Sequence, residues 1–292
     1  MSPRDIALAL LVVVIWGINF VAIKWGVEEV PPLLLTALRY LAAALPAVFF
    51  VKPPKVKLSL LVGYGFAVGV FQFGLLFSAI RLGMPAGLSS LVMQVQAFFT
   101  IALAMLFLGE RPKLPQLLGA LIAFAGIAVI ALERLDGAAL IPLFMTIGAA
   151  FFWGVSNIAA KKAGQIDMFA FVVWGSLVPP LPLLALSLVV EGPQAVLALG
   201  DISLRAVGAI AFLGYCSTLI GYGLWSYLLA RYPASLVAPF SLLVPIVGIA
   251  SAVTILAEPL SGLEVAGNAL VFAGLLLNVF GPRVRKRPVP AQ

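Results

Sequence analysis

The stretch WGINFVAIK, residues 16–24, returns in the second half of the chain as WGVSNIAAK, residues 153–161. Tryptophan, glycine, alanine and lysine occupy the same places in both stretches, at a shift of 137 residues. Each stretch lies near the start of one half of the chain. The sequence is therefore predicted to contain two copies of one structural unit.

The composition is typical of an integral membrane protein. Of the 292 residues, 63% are hydrophobic and only 10% are charged, whereas about a quarter of the residues in a soluble domain are charged. A membrane-spanning helix needs roughly 20 apolar residues. Apolar runs of about this length lie at 5–25, 31–51, 58–80, 84–108, 113–131, 140–160, 167–190, 204–229, 233–256 and 261–281. They predict an all-α integral membrane protein with ten transmembrane helices, and its single cysteine excludes an internal disulfide.

The basic residues orient the predicted helices. We call the membrane face at which the chain begins side A, and the opposite face side B. Thirteen basic residues fall on side A and four on side B, namely Lys24, Arg81, Arg134 and Arg205. Because basic loops stay in the cytoplasm, side A and both termini are predicted to be cytoplasmic. The basic clusters are too small for a nucleic-acid surface, so the lipid bilayer, and no nucleic acid, is the expected partner of these charges.

A longer similarity extends the duplication. Residues 85–126 and 233–274 share twelve identities in 42 positions at a shift of 148. We expect five-helix repeats at 1–135 and 138–282, followed by a basic cytoplasmic tail at 283–292. Because five is an odd number, the second repeat enters the membrane from the opposite side, which makes a five-plus-five inverted-topology repeat. Two such bundles have two equivalent tilted states, as alternating access requires.

These features together resemble a known family. The WG stretch in the first helix of each half, the glutamates Glu110 and Glu258 after the fourth helices, and the patterns GALIAFAG at 119–126 and GNALVFAG at 267–274 are similar to the EamA branch of the drug/metabolite transporter superfamily. Among its members the chain most resembles the aromatic amino acid exporters. The resemblance implies alternating-access export of amino acids, especially aromatic and neutral ones, and of related small metabolites across a bacterial inner membrane. It implies no cofactor, and it leaves open whether the chain forms a homodimer.

The resemblance also implies a central cavity built from helices 1, 3, 4, 6, 8 and 9. The candidate substrate-binding residues on these helices are Trp16, Asn19, Tyr64, Gln72, Met93, Gln94, Gln96, Trp153, Asn157, Tyr215, Tyr222 and Ser241. A polar side chain in hydrocarbon is costly unless it faces protein or water. Each asparagine is therefore expected either to bind substrate in the cavity wall or to hydrogen-bond between helices. Each aromatic residue is expected either to stack on substrate, or to pack against neighbouring helices or lie in an aromatic belt at the membrane interface.

Arg39 is the one basic residue well inside a predicted span. It is expected near side B, either as a structural arginine that reaches toward the lipid headgroups or as an anion-attracting group in an outer vestibule. One cation does not suffice for a phosphorylated substrate, so a substrate with net charge near zero is favoured. Glu110 and Glu258 end their helices at opposite faces, where each is expected to cap the next helix or to pair with a neighbour such as Arg111.

Other classes of function fit the sequence less well. The chain has no histidine, no GxxxxGK[ST] motif and no pair of carboxylates inside a predicted span, which argues against a membrane-embedded enzyme with a zinc, triad or P-loop mechanism. A membrane scaffold has no need of an inverted repeat. All eleven carboxylates lie at or beyond the ends of predicted spans. A uniporter driven by the substrate gradient is therefore predicted, and a proton-coupled drug or metabolite antiporter is the alternative.

Overall fold

The computed structural model describes residues 1–132 and 140–284 as a bundle of helices with no strand in these ranges. Nine helices in the described ranges are long and apolar enough to cross a membrane, and a tenth apolar helix is shorter. In chain order the ten are α1 Pro3–Glu29, α2 Pro32–Val48, α3 Leu58–Arg81, α4 Ala86–Leu108, α5 Leu114–Leu132, α6 Leu140–Lys162, α7 Met168–Val190, α8 Leu204–Arg231, α9 Ala238–Leu256 and α10 Gly262–Val284. The ten-helix, all-α prediction is confirmed. The predicted repeat boundary near 135, Arg134 and residues 285–292 of the tail lie outside the described residues.

Helix α7 is interrupted in its middle. Its first part, Met168–Gly175, is separated from its second part, Pro180–Val190, by a non-helical turn. Pro179 and Pro180 have no backbone N–H to continue the helical ladder, which accounts for the interruption. The π-helical middle of α3 passes close to this turn, because a Cβ atom at Gly69 would collide with the Pro179 ring.

The backbone irregularities of the first half recur in the second. Helices α3 and α8 each contain a π-helical stretch, at Phe66–Phe73 and Phe212–Ile220. Helices α4 and α9 each contain a 3-10 stretch, and each ends at a residue with a left-handed backbone, Gly109 (φ 66°) and Ala257 (φ 53°). The two halves therefore share a backbone path as well as a sequence pattern.

The glycines of the repeated FAG patterns bring α5 and α10 together. A Cβ atom at Gly119 would lie 2.6 Å from the carbonyl oxygen of Gly274, and one at Gly126 would lie 2.6 Å from that of Gly267. The earlier glycine of each helix meets the later glycine of the other, so the two helices run antiparallel. Gly119 corresponds to Gly267 in the repeat, and Gly126 to Gly274. These reciprocal contacts are those expected of two copies related by a two-fold axis.

The WG stretch is repeated because each first helix packs on the opposite half. A Cβ atom at Gly17 of α1 would lie 2.5 Å from Cγ1 of Val247 in α9. A Cβ atom at Gly154 of α6 would lie 3.1 Å from Cβ of Phe99 in α4. Phe99 corresponds to Val247 at the shift of 148. The glycine thus allows the same close crossing twice, and each half depends on a helix from the other.

Candidate functional site

A cavity of about 340 Å³ lies between the two halves. Its walls come from α1, α2, α3, α4, α6, α7, α8 and α9. This volume is in the range of small-molecule sites, roughly 300–1,000 Å³. Most of the wall is apolar or aromatic, and amides and hydroxyls are interspersed, as in sites that select a ligand by a few directed polar contacts.

Eleven of the twelve candidate residues line this cavity. They are Trp16, Asn19, Tyr64, Gln72, Met93, Gln94, Gln96, Trp153, Asn157, Tyr222 and Ser241. Both Gln94 and Gln96 belong to the wall, although they are only two residues apart in α4. Tyr215 is the exception, because it is not part of the wall and is 44% exposed on the outside of α8. The candidate Tyr215 therefore does not line the cavity, because the wider π-helical turn of residues 212–220 places it on a different face of α8 from Tyr222.

The cavity reaches side A but stops short of side B. Its wall includes Met168, the first residue of α7, together with Ala160 and Leu229 near the side A ends of α6 and α8. Toward side B it extends only to Leu76 and Ser90, about one helical turn inside the ends of α3 and α4. This is the arrangement of a pathway that is open toward side A and closed toward side B.

Polar contacts cross the closed side B. Arg81 donates hydrogen bonds to the carbonyl oxygens of Val27 and Glu28, at 2.6 and 2.9 Å. Glu29 accepts hydrogen bonds from the backbone N–H and hydroxyl of Ser203, at 2.8 and 2.7 Å. These contacts join α1 to the end of α3 and to the start of α8, so both halves take part in the closure.

The two glutamates that end α4 and α9 have different partners. Glu258 accepts hydrogen bonds from the backbone N–H groups of Ala86 and Gly87 at the start of α4. It therefore caps a helix of the other half, and the expectation that it would cap the next helix was wrong. Glu110, its repeat counterpart, forms an ion pair with Lys161 rather than with Arg111.

Trp16 lies in an aromatic cluster on the cavity wall. Its ring centroid lies 5.3 Å from that of Tyr222 and 5.3 Å from that of Trp225, and both ring pairs are tilted. Its indole N–H donates a hydrogen bond to the carbonyl oxygen of Ser217 at 3.1 Å. This bond fixes the ring orientation, and it leaves a rigid aromatic surface for a ligand.

The two asparagines that the sequence singled out differ in their contacts. Asn157 donates hydrogen bonds to Oε1 of Gln96 and Oγ1 of Thr100, at 2.7 and 3.0 Å, and so links α6 to α4. Asn19 is 6% exposed, and its side-chain oxygen has no partner among the described residues. The buried Oε1 of Gln72 is likewise without a described partner. Asn157 therefore fits the role of an interhelical hydrogen bond, and Asn19 fits that of a binding residue.

Arg39 lies near the middle of α2 and not in a vestibule near side B, so that expectation was wrong. It is 1% exposed and is part of the cavity wall. One Nη donates a hydrogen bond to the Thr218 hydroxyl at 3.0 Å, and the guanidinium lies 4.0 Å from the centre of the Phe73 ring. Arg39 was not among the candidate binding residues. Its position as the one basic residue inside a predicted span could have identified it as one.

Comparison with known proteins shows which family and which relatives the chain is similar to. The model of the EamA-like transporter family matches twice, at residues 4–132 and 140–280. A protein from Salmonella typhimurium named "Probable amino-acid metabolite efflux pump" is 47% identical, and one of the same name from Escherichia coli K12 is 45% identical; each alignment covers 98% of both chains. A "Probable terminal-alkyne amino-acid exporter" from Streptantibioticus cattleyicolor is 28% identical over 91% of this chain and 90% of its own.

A solved crystal structure has the same fold. Its chain is 20% identical to this one, with a TM-score of 0.63, and the match covers 98% of this chain and 100% of the other.

Within the described residues, no three His, Cys, Asp or Glu side chains come together in a group that could hold a metal ion. The family model covers nearly the whole chain in two copies, one for each half of the helical bundle. The chain therefore belongs to the EamA-like transporter family, and it is a transporter and not an enzyme.

Proposed function

We propose that this protein exports amino acids, in particular neutral and aromatic ones, and related metabolites across a bacterial inner membrane. The observation that carries the proposal is the cavity between the two halves, with its aromatic and amide-bearing wall and its extension toward side A. The names of the relatives from Salmonella and Escherichia supply the class of substrate. Side A is the cytoplasm in this proposal, so the cavity loads its substrate from inside the cell.

Transport proceeds by alternating access between two inverted five-helix repeats, at about 1–135 and 138–282. The reciprocal packing of Gly119 on Gly274 and of Gly126 on Gly267 supports a two-fold relation between the halves. Under that relation, a state closed toward side B has a counterpart closed toward side A. The substrate is released on side B in the counterpart state.

The driving force is the gradient of the substrate itself. The cavity wall in the described part of the chain includes no Asp or Glu. Glu110 and Glu258 lie where α4 and α9 end, away from that wall. A proton-coupled carrier usually keeps a titratable acid within the membrane, so the wall favours uniport over proton-coupled antiport.

Flux into proteoliposomes tests the proposal. The purified full-length protein is reconstituted, and uptake of labelled phenylalanine down its gradient is measured against protein-free vesicles, with labelled sucrose as a control for leakage. We expect protein-dependent phenylalanine uptake that is unchanged by a protonophore and a collapsed pH gradient. Absence of flux for every amino acid offered would contradict the function, whereas flux that requires a pH gradient would support the antiport alternative.

A further inference from the structure

We infer that the cavity binds the head group of an α-amino acid, with Arg39 holding the carboxylate and the side-chain oxygens of Asn19 and Gln72 holding the ammonium group. This inference rests on the proposed function and specifies the chemistry of the same site. It makes both charged groups of the substrate necessary for binding.

The first argument is the unsatisfied charge of Arg39. Its Nε and one Nη are buried and have no hydrogen-bond partner among the described residues. Within the same part of the chain, no Asp or Glu forms an ion pair with it. A buried cation without a counter-ion is costly in a membrane. A bound anion would remove that cost, and the cavity beside Arg39 has room for one.

The surroundings of Arg39 leave its in-plane donors available for a carboxylate. The guanidinium lies over the Phe73 ring at 4.0 Å, with the Tyr40 and Phe77 rings at 5.1 and 5.6 Å. Aromatic rings engage the face of a guanidinium, whereas a carboxylate binds at its edge through parallel N–H donors. The hydrogen bond to Thr218 uses one N–H of one Nη, so four of the five guanidinium N–H donors remain. One edge of the guanidinium therefore still offers two parallel donors to a carboxylate.

The second argument is the pair of unsatisfied acceptors in the same cavity. Oδ1 of Asn19 and Oε1 of Gln72 are buried without a described donor, and both residues belong to the cavity wall. Gln72 directly precedes Phe73, the residue whose ring lies under the guanidinium. A buried acceptor without a donor destabilises the protein, and an ammonium group has three donors to offer.

The two sets of unsatisfied groups match a zwitterion. A simple carboxylate would satisfy Arg39 and leave the amide oxygens without donors, and a simple amine would do the reverse. An α-amino acid satisfies both at once and keeps its net charge near zero. Its side chain can then extend toward the aromatic cluster of Trp16, Tyr222 and Trp225, in agreement with the proposed preference for neutral and aromatic substrates.

Competition for phenylalanine uptake in proteoliposomes tests this inference. The competitors are phenylalanine itself, its methyl ester, phenethylamine and 3-phenylpropionate. We expect the three analogues that lack one charged group to compete at least tenfold more weakly than phenylalanine, because each leaves buried polar groups unpaired. Equal competition by the methyl ester and by phenylalanine would overturn the inference and leave the export function standing.

Two variants assign the two halves of the head group. Arg39→Gln is expected to lose most of the discrimination against the methyl ester but to retain that against 3-phenylpropionate. Asn19→Ala is expected to show the opposite pattern. Arg111→Gln, at an exposed arginine outside the cavity, is the matched control and should discriminate like the wild type. If Arg39→Gln does not fold, the competitor series on the wild-type protein still tests whether both charged groups of the substrate are needed for binding. Arg39→Gln with unchanged discrimination against the ester would overturn the assignment.

Discussion

Glu258 caps the start of α4 by accepting a hydrogen bond from the backbone N–H of Ala86 at 2.9 Å. Its repeat counterpart Glu110 pairs with Lys161 instead. The two halves are alike in sequence and backbone path but differ at this contact. This difference matches the state of the cavity. The end of α4 that Glu258 caps lies on side B, the side toward which the cavity is closed.

The cap is expected to hold side B closed. Replacing a charged cap at a helix N-terminus costs about 1 kcal/mol, so Glu258→Gln should raise the population of the state open toward side B severalfold. In a Cys216→Ala background, a cysteine at the buried wall residue Ser90 reports this opening. We expect an impermeant maleimide, added outside spheroplasts, to label it several times faster in Glu258→Gln.

Glu110→Gln is the matched control for this measurement. Glu110 lies on the opposite face and pairs with Lys161, so its loss should not increase labelling at position 90 from outside. Equal labelling rates in the wild type, Glu258→Gln and Glu110→Gln would show that the cap does not control access from side B.

The crossing of α5 and α10 is expected to tolerate no side chain at its glycines. Gly274→Ala would place a Cβ atom against the carbonyl oxygen of Gly119 and within 2.9 Å of the Ala123 Cβ. Overpacking of this kind costs about 1–3 kcal/mol, so the melting temperature in detergent should fall. At Gly208 an added Cβ meets nothing within 4 Å, and Gly208→Ala should be neutral or stabilising. Equal melting temperatures for the two variants would contradict the close crossing.

The aromatic cluster is expected to decide the substrate preference. Trp16 donates its indole N–H to a backbone carbonyl in the cavity wall, and Trp174 does the same outside the cavity, to Val51 at 2.9 Å. Trp16→Ala should reduce the rate of phenylalanine transport roughly tenfold and the rate of alanine transport much less. Trp174→Ala should leave both rates unchanged. Thermal stability is measured for both variants, because loss of a buried aromatic costs about 3–5 kcal/mol. If Trp16→Ala reduced the transport of phenylalanine and of alanine equally, Trp16 would have a packing role rather than a role in substrate selection.

The orientation of the repeats is tested with cysteines in equivalent loops. In the Cys216→Ala background, single cysteines replace the exposed residues Lys55 and Arg111 of the first half and Asp201 and Leu260 of the second. An impermeant maleimide outside spheroplasts should label the second pair and spare the first. Labelling of equivalent loops, such as those of Lys55 and Asp201, from the same side would refute the inverted repeat.

Hydropathy predicted the helices well. Apolar runs end where the chain meets charges, prolines or polar loops, so each predicted span agrees with a helix within a few residues. The repeated glycines were visible as well, since Gly17 and Gly154 stand in the same short phrase. Their partners Val247 and Phe99 were not predicted, because the sequence of one helix does not say which helix crosses it.

The site was harder to predict where the backbone departs from regular geometry. Tyr215 and Tyr222 are seven residues apart, which in an α-helix places them on one face. The π-helical stretch at residues 212–220 instead places the two residues on different faces, and no residue type in that stretch predicts a π-helix. The depth of Arg39 was also not predicted, because a single charge inside a predicted span was expected to reach toward the membrane surface, whereas Thr218 and the Phe73 ring hold it inside.

The central claim is that the cavity is exposed to one side at a time. Counterflow in proteoliposomes tests it most directly. Vesicles are loaded with excess unlabelled phenylalanine, and a trace of labelled phenylalanine is added outside at equal pH on both sides. An alternating carrier returns each site occupied by unlabelled substrate to the outside, so we predict a transient accumulation of label above the external concentration. Label that only equilibrates, with no overshoot in preloaded vesicles, would indicate an open channel and would contradict the account.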